Sequence, residues 1–468
     1  MIDEKELVKV VPSSRQLLYQ QIEFYAFVHF TVNTFTGLEW GDGTEPESVF
    51  YPSKMNARQW VESIKKAGMK GLILTCKHHD GFCLWPSKYT DHTIAKSPYK
   101  DGKGDIVREV ADACREAGVH FGVYLSPWDR NNQLYGTGEQ YDDYFINQLT
   151  ELLTGYGPVF AVWFDGACGE GPNGKKQYYD WKRYYETIRR LQPEACINVC
   201  GPDIRWCGNE AGYTRESEWS VVPARTRDTE KIAQDSQQKD STEFRERQIH
   251  AQDADLGSRR MLENEHDLVW YPAEVNTSIR PGWFYHEEED SRVRSLEELV
   301  YIYMNSVGGN ATFLLNIPPT KEGLFHEKDV MRLAELGDFL RKAFEHNILD
   351  EAIIDSERAE TGNGIEHVLT DNYEEYYKTE DGVHEDTITI TFREKKTINY
   401  LVMKENIRMS QRIEKFSVLD DQDQVIYRGT IVGYKKIIPL NGMETARIRI
   451  QIEESRVCPT LSFIGVYC

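Results

Sequence analysis

The feature that most constrains the fold is an alternation of apolar runs and amphipathic stretches between about residues 22 and 320. The runs with strand character are FYAFVHF (24–30), GLILTC (71–76), HFGVYLS (120–126), VFAVWFD (159–165), CINVC (196–200), LVWYPAEV (268–275) and ATFLLNI (311–317). Helical patterns lie between them at 57–69, 105–118, 141–156, 178–192 and 295–308. This order predicts a (β/α)8-like, TIM-type barrel, made irregular by a shortage of helices. A doubly wound nucleotide-binding sheet is disfavoured because no glycine-rich phosphate loop follows any run.

The pattern changes after a predicted helix at 328–347. TITITF (387–392) and ARIRIQI (446–452) alternate with period two, and 416–427 is typical of two strands around an acidic turn. We therefore expect a catalytic (β/α) barrel domain over residues 1–350 and a C-terminal all-β sandwich domain, galactose-binding-like, over residues 351–468. The polar segment 222–266 exceeds an ordinary connection and is interpreted as a substrate-covering or mobile loop.

The net charge of the chain limits the classes of partner that it can bind. The chain carries 55 basic and 76 acidic residues, a formal charge of −21, which disfavours phosphate backbones and anionic lipid as partners. No stretch approaches the roughly 20 apolar residues that span a bilayer. The sequence therefore predicts neither a nucleic-acid nor a membrane partner, and a neutral substrate fits.

The amino terminus and the cysteines bear on the compartment. Residues 1–16 show neither the basic nor the apolar region of a signal peptide, so we expect a cytoplasmic location if Met1 is the native start. If a leader has been removed, the location is secreted or periplasmic. The nine cysteines are an odd number and several lie in strand-like runs, which favours buried thiols over disulfides. Cys196 and Cys200 lack the spacing of a structural zinc site.

The first candidate for chemistry is Asp165, where an apolar strand ends abruptly on an acid followed by glycine. The carboxyl ends of barrel strands carry catalytic groups. Because side chains alternate along a strand, Trp163 faces the same side as Asp165. The alternative is a strand-terminating aspartate that caps the next helix.

The second candidate acid is Glu210, in GPDIRWCGNEAG (201–212), on a glycine-flanked loop that can aim a side chain into a cleft. A solvated loop acid is the alternative, and Glu216 and Glu218 are rivals for an acid role. Two carboxylates placed by different strands are what hydrolysis of a glycosidic bond needs.

Three histidines end predicted strands: His29, and the pair His78 and His79. Such side chains could bind a metal or donate hydrogen bonds to sugar hydroxyls, and each alone could be an ordinary buried histidine. Arg205 could hold an acidic side chain or a ring hydroxyl.

Together these stretches resemble the α-L-fucosidases of glycoside hydrolase family 29. The matching motifs are FVHFTVNTFTGLEWGDG (27–43), GLILTCKHHDGFCLWPSKYTDHTI (71–94), GVYLSPWDR (122–130), VWFDGA (162–167), GPDIRWCGNEAG (201–212), EVNTSIRPGWFYH (274–286) and FLLNIPPTKEGL (313–324). The resemblance covers the barrel nearly end to end and continues into the sandwich.

The resemblance implies a role for each matched residue. The family's nucleophile matches Asp165, and its acid/base matches Glu210 in the branch that prefers α-1,3- and α-1,4-linked fucose. The implied fucose-binding residues are His29, Glu39, Trp40, His78, His79, Tyr124, Arg205 and Trp283, with Trp163 beneath the sugar. The family uses neither a metal nor another cofactor, which assigns the histidines to hydroxyl recognition. The implied partner is a fucosylated oligosaccharide or glycoconjugate.

The implied mechanism is double displacement with retention of configuration, which requires the two carboxyl groups ~5–5.5 Å apart. Arg205 beside Asp165 would keep that nucleophile ionised. Two alternatives remain open: a glycan-binding barrel without catalysis, and a retaining glycosidase of another specificity.

Overall fold

The computed structural model describes residues 4–236 and 255–468, and its first layer is a parallel eight-stranded sheet. Around the sheet the order of strands is β5-β4-β3-β2-β1-β10-β9-β6. Their bounds are β1 Phe24–Val28, β2 Gly71–Lys77, β3 His120–Leu125, β4 Ala161–Phe164, β5 Cys196–Val199, β6 Arg205–Trp206, β9 Ala273–Ser278 and β10 Ala311–Asn316. A parallel bridge between Asn198 and Ile204 joins the last strand back towards the first. The predicted barrel is confirmed.

The α-helices of the described residues are α1 Glu4–Leu7, α2 Ser14–Ile22, α3 Val32–Thr36, α4 Ala57–Lys66, α5 Ile106–Ala117, α6 Glu139–Gly155, α7 Trp181–Leu191, α8 Thr229–Asp235, α9 Arg259–Leu262, α10 Leu296–Ser306 and α11 Glu327–Ala343. Helices α2, α4, α5, α6, α7, α10 and α11 form the layer around the barrel strands, and the four shorter helices lie elsewhere in the described residues. Local signals explain several ends: Asp105 caps the start of α5 through the amide of Arg108, and Gly118 ends it in the left-handed conformation. No helix separates β5 from β6, so the barrel is irregular as expected.

The segment 222–266 is only partly irregular. Its described residues include α8, α9 and the end of β7 Val221–Pro223, a strand that pairs antiparallel with β8 Leu268–Trp270 beyond the segment. Residues 237–254 lie outside the described part, and the prediction of a substrate-covering loop falls partly on them.

The carboxyl-terminal part is antiparallel. Six strands form one sheet: β11 Ile353–Ser356, β13 Asp386–Lys404, β14 Ile413–Leu419, β15 Val425–Gly429, β16 Lys436–Ser455 and β18 Phe463–Tyr467. A small second sheet pairs β12 Tyr377–Lys378 with β17 Thr460–Leu461, and Tyr377 and Leu461 belong to the same apolar core as the large sheet. The predicted strands are confirmed, although β13 and β16 run longer because register shifts let them bend without ending.

Two further expectations concern cysteines and membranes. All nine cysteines are free thiols, and seven of them are buried, as the sequence predicts. Among the helices of the described residues, none combines the length and the apolar character that crossing a bilayer requires.

Candidate active site

Asp165 lies immediately beyond the end of β4, at the carboxyl edge of the barrel. Its Oδ2 accepts a hydrogen bond of 2.9 Å from the Tyr124 hydroxyl, and its Oδ1 accepts one of 2.9 Å from the amide of Ala167. The next helix, α7, is capped by Asp180 instead. The helix-capping alternative for Asp165 is therefore wrong, and its carboxylate faces a cavity.

The electrostatics of Asp165 combine burial with hydrogen bonding. Burial raises the pKa of its carboxyl, because a charged group loses solvation there, while the donors on Ala167 and Tyr124 oppose that rise. The side chain keeps 22% of its surface exposed, so it remains reachable from the cavity. Nε2 of His79 lies 3.7 Å from its Oδ2.

Three histidines stand where β1 and β2 end. His29 follows Val28 by one residue, and His78 and His79 follow Lys77 directly. The break at the end of β2 lets both neighbouring side chains line one cavity, which a continuing strand would prevent. Burial lowers the pKa of His29 and of His79 to about 3, and it lowers that of His78 as well. All three rings are therefore neutral at physiological pH.

Their hydrogen bonds determine which ring nitrogens carry protons. Ser126 donates its hydroxyl proton to the carbonyl of Trp128 at 2.6 Å, so its oxygen accepts from Nδ1–H of His79 at 2.7 Å. Asn316 donates its amide group to the carbonyl of Trp283, which leaves its Oδ1 to accept from Nδ1–H of His29 at 2.8 Å. Nε2 of both neutral rings is thus an acceptor, the complement of a sugar hydroxyl donor.

Glu210 lies on the irregular loop after β6, as predicted, and lines the same cavity as Asp165. Its Oε2 accepts a hydrogen bond of 3.3 Å from the indole of Trp283. The rival acids differ from it: Glu216 is exposed outside the cavity, and Glu218 is fully buried between two arginines, which lower its pKa against the effect of burial. Of the three, Glu210 alone can meet a ligand in the cavity.

Glu39 holds the Trp283 segment in place through hydrogen bonds. Its carboxylate accepts from the amides of Trp283 at 2.9 Å and Phe284 at 3.3 Å, and it lies 2.6 Å from Nε2 of His286. That hydrogen bond raises the pKa of His286. Trp40, the next residue, packs edge-on against His79 with ring centroids 5.9 Å apart.

The cavity opens to solvent, and together with the solvent space at its mouth it measures about 630 Å³. Nine residues predicted from the sequence line it: His29, Glu39, Trp40, His78, His79, Trp163, Asp165, Glu210 and Trp283. Tyr124 reaches it through its hydrogen bond to Asp165. The cavity therefore unites residues that lie up to about 250 positions apart in the chain.

Arg205 requires a correction. The expectation that it adjoins Asp165 and a sugar is wrong: its Nη2 donates to Glu218 at 2.6 Å and to the carbonyl of Trp219 at 3.2 Å. It is absent from the described cavity lining, whereas its neighbour Trp206 is part of it. Adjacent side chains on a strand point to opposite sides, so Trp206 takes the inward position.

Sequence reasoning also missed two supports of the cavity. Asn276 lines it and accepts a hydrogen bond of 3.0 Å from the indole of Trp206. Glu274 lies fully buried below and accepts from the indole of Trp163 at 2.7 Å and from Tyr19 and Tyr25 at 2.5 Å each. Period-two alternation along AEVNTS (273–278) would have placed Glu274 and Asn276 on the same face of β9.

One group of side chains also has the donor set of a metal site. Ligand atoms of His78, His79 and Asp165 lie within 4.8 Å of one another. The sequence analysis expected the histidines to donate hydrogen bonds to sugar hydroxyls, whereas the hydrogen bonds of His29 and His79 leave Nε2 of each ring as an acceptor. Two neutral imidazoles beside a carboxylate serve either chemistry.

Comparison with known proteins identifies the family. The family model for α-L-fucosidase matches residues 14–345, which include every cavity residue named above. The chain belongs to the α-L-fucosidase family. It is similar to α-L-fucosidase 1 of Arabidopsis thaliana, with 37% identity over 98% of this chain and 87% of the relative.

Solved structures agree. A glycoside hydrolase 29 family member from an unidentified rumen bacterium shares 36% identity and a TM-score of 0.79, covering 98% of this chain and 77% of the other. A Ruminococcus gnavus fucosidase of family 29 in complex with fucose shares 28% identity and a TM-score of 0.83, covering 98% and 95%. This α-L-fucosidase family chain is accordingly a glycoside hydrolase that releases fucose, and its substrate class is fucosylated glycans.

Proposed function

We propose that the chain is a retaining exo-α-L-fucosidase in which Asp165 is the nucleophile and Glu210 the general acid/base. The observation that carries this proposal is that Asp165 and Glu210, set on loops after different barrel strands, line one cavity. In the first step Asp165 attacks the anomeric carbon while Glu210 protonates the leaving oxygen. In the second, Glu210 takes a proton from the water that releases fucose.

The surrounding residues suit the recognition of a 6-deoxy sugar. Nε2 of His29 and of His79 accept from ring hydroxyls, and Glu39 holds Trp283 in place beside Glu210. Phe27, Trp163 and Trp283 give the cavity an apolar side for the C5 methyl group of fucose. Tyr124 orients Asp165 by donating to it.

The decisive experiment replaces the nucleophile. Asp165→Ala is expected to lower kcat/KM on an aryl α-L-fucoside by roughly 10⁴-fold or more, because the covalent step is removed. Azide or formate should restore part of the rate, since a small anion can enter the space left by the carboxylate. Wild-type activity in this variant would contradict the assignment, and binding of fucosylated glycan without turnover by the wild-type chain would favour a non-catalytic barrel.

A second experiment addresses linkage. We propose a preference for α-1,3- and α-1,4-linked fucose, supported by the GNEAG motif around Glu210 (208–212). Fucose release from a Lewis-type trisaccharide should exceed release from 2′-fucosyllactose and from an aryl α-L-fucoside. Equal or greater action on the last two would overturn this preference and leave the fucosidase assignment intact.

A further inference from the structure

The segment that carries Glu210 is an irregular loop, here called the acid loop, residues 207–220. Hydrogen bonds within the loop fix its shape at two places. Oδ1 of Asn209 accepts from the amides of Ala211 at 3.0 Å and Tyr213 at 3.2 Å, and Nη1 of Arg215 donates to the carbonyl of Cys207 at 2.9 Å. These bonds give the loop a shape of its own but do not attach it to the barrel wall.

Glu218 anchors the far end of the acid loop in a buried charge network. Its carboxylate accepts from Arg205 on β6 at 2.6 Å and from the backbone amide of Arg215 at 3.2 Å. The side chains of Arg205, Arg215 and Glu218 are 6%, 5% and 0% exposed. A buried ion pair of this kind fixes one arrangement of the loop, because moving either partner leaves a buried charge without a counter-charge.

The sandwich contacts the acid loop directly. The hydroxyls of Thr430 and Ser217 lie 2.6 Å apart, and Oε1 of Gln411 accepts from the amide of Ser220 at 2.8 Å. Ile431 belongs to the same buried apolar cluster as Trp219. The Arg456 guanidinium also lies 4.2 Å from the centroid of the Trp219 ring, so polar, apolar and cation–π contacts connect the sandwich with the end of the loop.

A further connection runs through Asn310, just before β10. Its Oδ1 accepts from the amide of Tyr434 at 2.7 Å, and its Nδ2 donates to the carbonyl of Glu218 at 2.7 Å. The approach is close: a Cβ on Gly433 would lie 2.3 Å from Cγ of Asn310, and Gly433 has a φ of +62°. Only glycine fits there, so the 430–434 turn of the sandwich is shaped to this contact.

We propose that the sandwich positions the general acid: Gln411, Thr430 and the 430–434 turn act through the acid loop on Glu210. This inference rests on the proposed role of Glu210. The contacts fall on the loop's carboxyl-terminal end, which the barrel also holds through the Glu218 network, through Asn310 and through the Tyr271 amide, which donates to the carbonyl of Ser220 at 2.7 Å. The proposed nucleophile Asp165 follows β4 and the three histidines follow β1 and β2, and none of the sandwich contacts described above involves these residues.

A change in the position of Glu210 should affect substrates differently, according to their leaving group. Protonation by an acid matters most when the departing oxygen is a poor leaving group, as in a glycan, and little when it is an activated phenol. A displaced Glu210 should therefore slow hydrolysis of fucosylated oligosaccharides while sparing a 2,4-dinitrophenyl fucoside. A purely structural role for the sandwich would lower both rates together.

The test compares kcat/KM for these two substrates in Gln411→Ala and in the double variant Gln411→Ala with Thr430→Val. We expect the ratio of dinitrophenyl to oligosaccharide rates to rise on the order of 10-fold in the double variant. Thr430→Ser keeps the hydroxyl and should leave the ratio near wild type. The matched control is Asn347→Ala, which removes hydrogen bonds to Val466 and Ile464 of β18 that do not involve the acid loop.

Glu210→Ala in parallel separates the two claims. If it spares the dinitrophenyl substrate and abolishes oligosaccharide cleavage, Glu210 is the acid, and an unchanged ratio in the sandwich variants then overturns the inference alone. If Glu210→Ala slows both substrates equally or neither, the proposed role of Glu210 fails and the inference with it. Should the double variant not fold, the single variant Gln411→Ala decides by the same ratio.

Discussion

The hydroxyl of Tyr124 donates a 2.9 Å hydrogen bond to Oδ2 of Asp165, the carboxylate proposed to attack the sugar. The bond favours the charged form of Asp165 and so works against burial, which raises the pKa of that carboxyl. The ionisation of the nucleophile is therefore a balance between an apolar site and two donors, Tyr124 and the amide of Ala167.

The first prediction concerns Tyr124→Phe. Removing the donor takes away an effect that lowers the pKa of Asp165, so the nucleophile becomes protonated at higher pH. The acidic limb of kcat/KM should move upward in pH, and the value at neutral pH should fall roughly 10-fold or more. A pH–rate profile on an aryl fucoside measures both. Tyr156→Phe, which loses a hydroxyl bond to Asp105, should leave the limb in place, and a downward shift in Tyr124→Phe would contradict the prediction.

A second prediction concerns stability. Because the pKa of Asp165 is raised on folding, the folded chain holds that proton more tightly, and stability falls as pH rises through the folded pKa. Asp165→Asn should thus be inactive yet more heat-resistant at pH 7, by on the order of 1–3 °C. The difference should be smaller at pH 4, because the raised pKa brings more of the wild-type carboxyl into its protonated form as the pH falls. Thermal unfolding at both pH values checks this, and a Tm below wild type at pH 7 would refute it.

At Glu218 the dependence of folding stability on pH has the opposite sign. Although burial alone would raise its pKa, Arg205 and Arg215 lower it, so its contribution is present above the unfolded pKa and is lost as pH falls through the folded one. Glu218→Gln should cost about 3 kcal/mol or more at pH 7, because two arginines are left buried without a counter-charge. The variant should also lose less stability than wild type on acidification.

Urea unfolding at pH 7 and pH 4 measures both effects. Glu216→Gln, two residues away and exposed, serves as the control and should change stability by less than about 0.5 kcal/mol. Equal stabilities of Glu218→Gln and the control would show that the network contributes little.

Trp206 is the basis of a fourth prediction. It lines the cavity and is oriented by Asn276, so truncation removes an aromatic wall next to the substrate. Trp206→Ala should lower kcat/KM by roughly 30-fold, about 2 kcal/mol, mainly through KM. Steady-state kinetics on a Lewis-type trisaccharide provide the measurement. Trp206→Phe keeps a ring and should recover most of the loss, and an unchanged KM in the alanine variant would exclude a contact with substrate.

Most of the fold could be predicted from local sequence patterns. Apolar, β-branched runs such as 71–76 and 159–165 become strands because a parallel sheet covered by helices is buried on both faces. Capping residues and glycines end the helices within a few positions of the predicted limits. The site residues that directly follow a strand, Asp165 and the histidines, were predictable because the carboxyl ends of barrel strands converge.

Tertiary structure decided the partners of the charged groups. Arg205 was expected beside Asp165. Arg205 and Trp206 are neighbours on the short strand β6, so their side chains point to opposite sides: Arg205 binds Glu218, and Trp206 lines the cavity. Nothing in the local sequence indicates that Glu274 lies beneath Trp163, about 110 positions away, because that contact exists only once the barrel closes.

The sequence by itself determined the barrel, the sandwich, and the acids and histidines at the strand ends, since periodicity and strand ends are local properties of the chain. Only the tertiary structure decided how Glu210 is held. Its loop contacts Asn310 and Thr430, the latter in a turn of the sandwich more than 200 positions away. Contacts between residues so far apart in the chain leave no periodic pattern in the sequence around them.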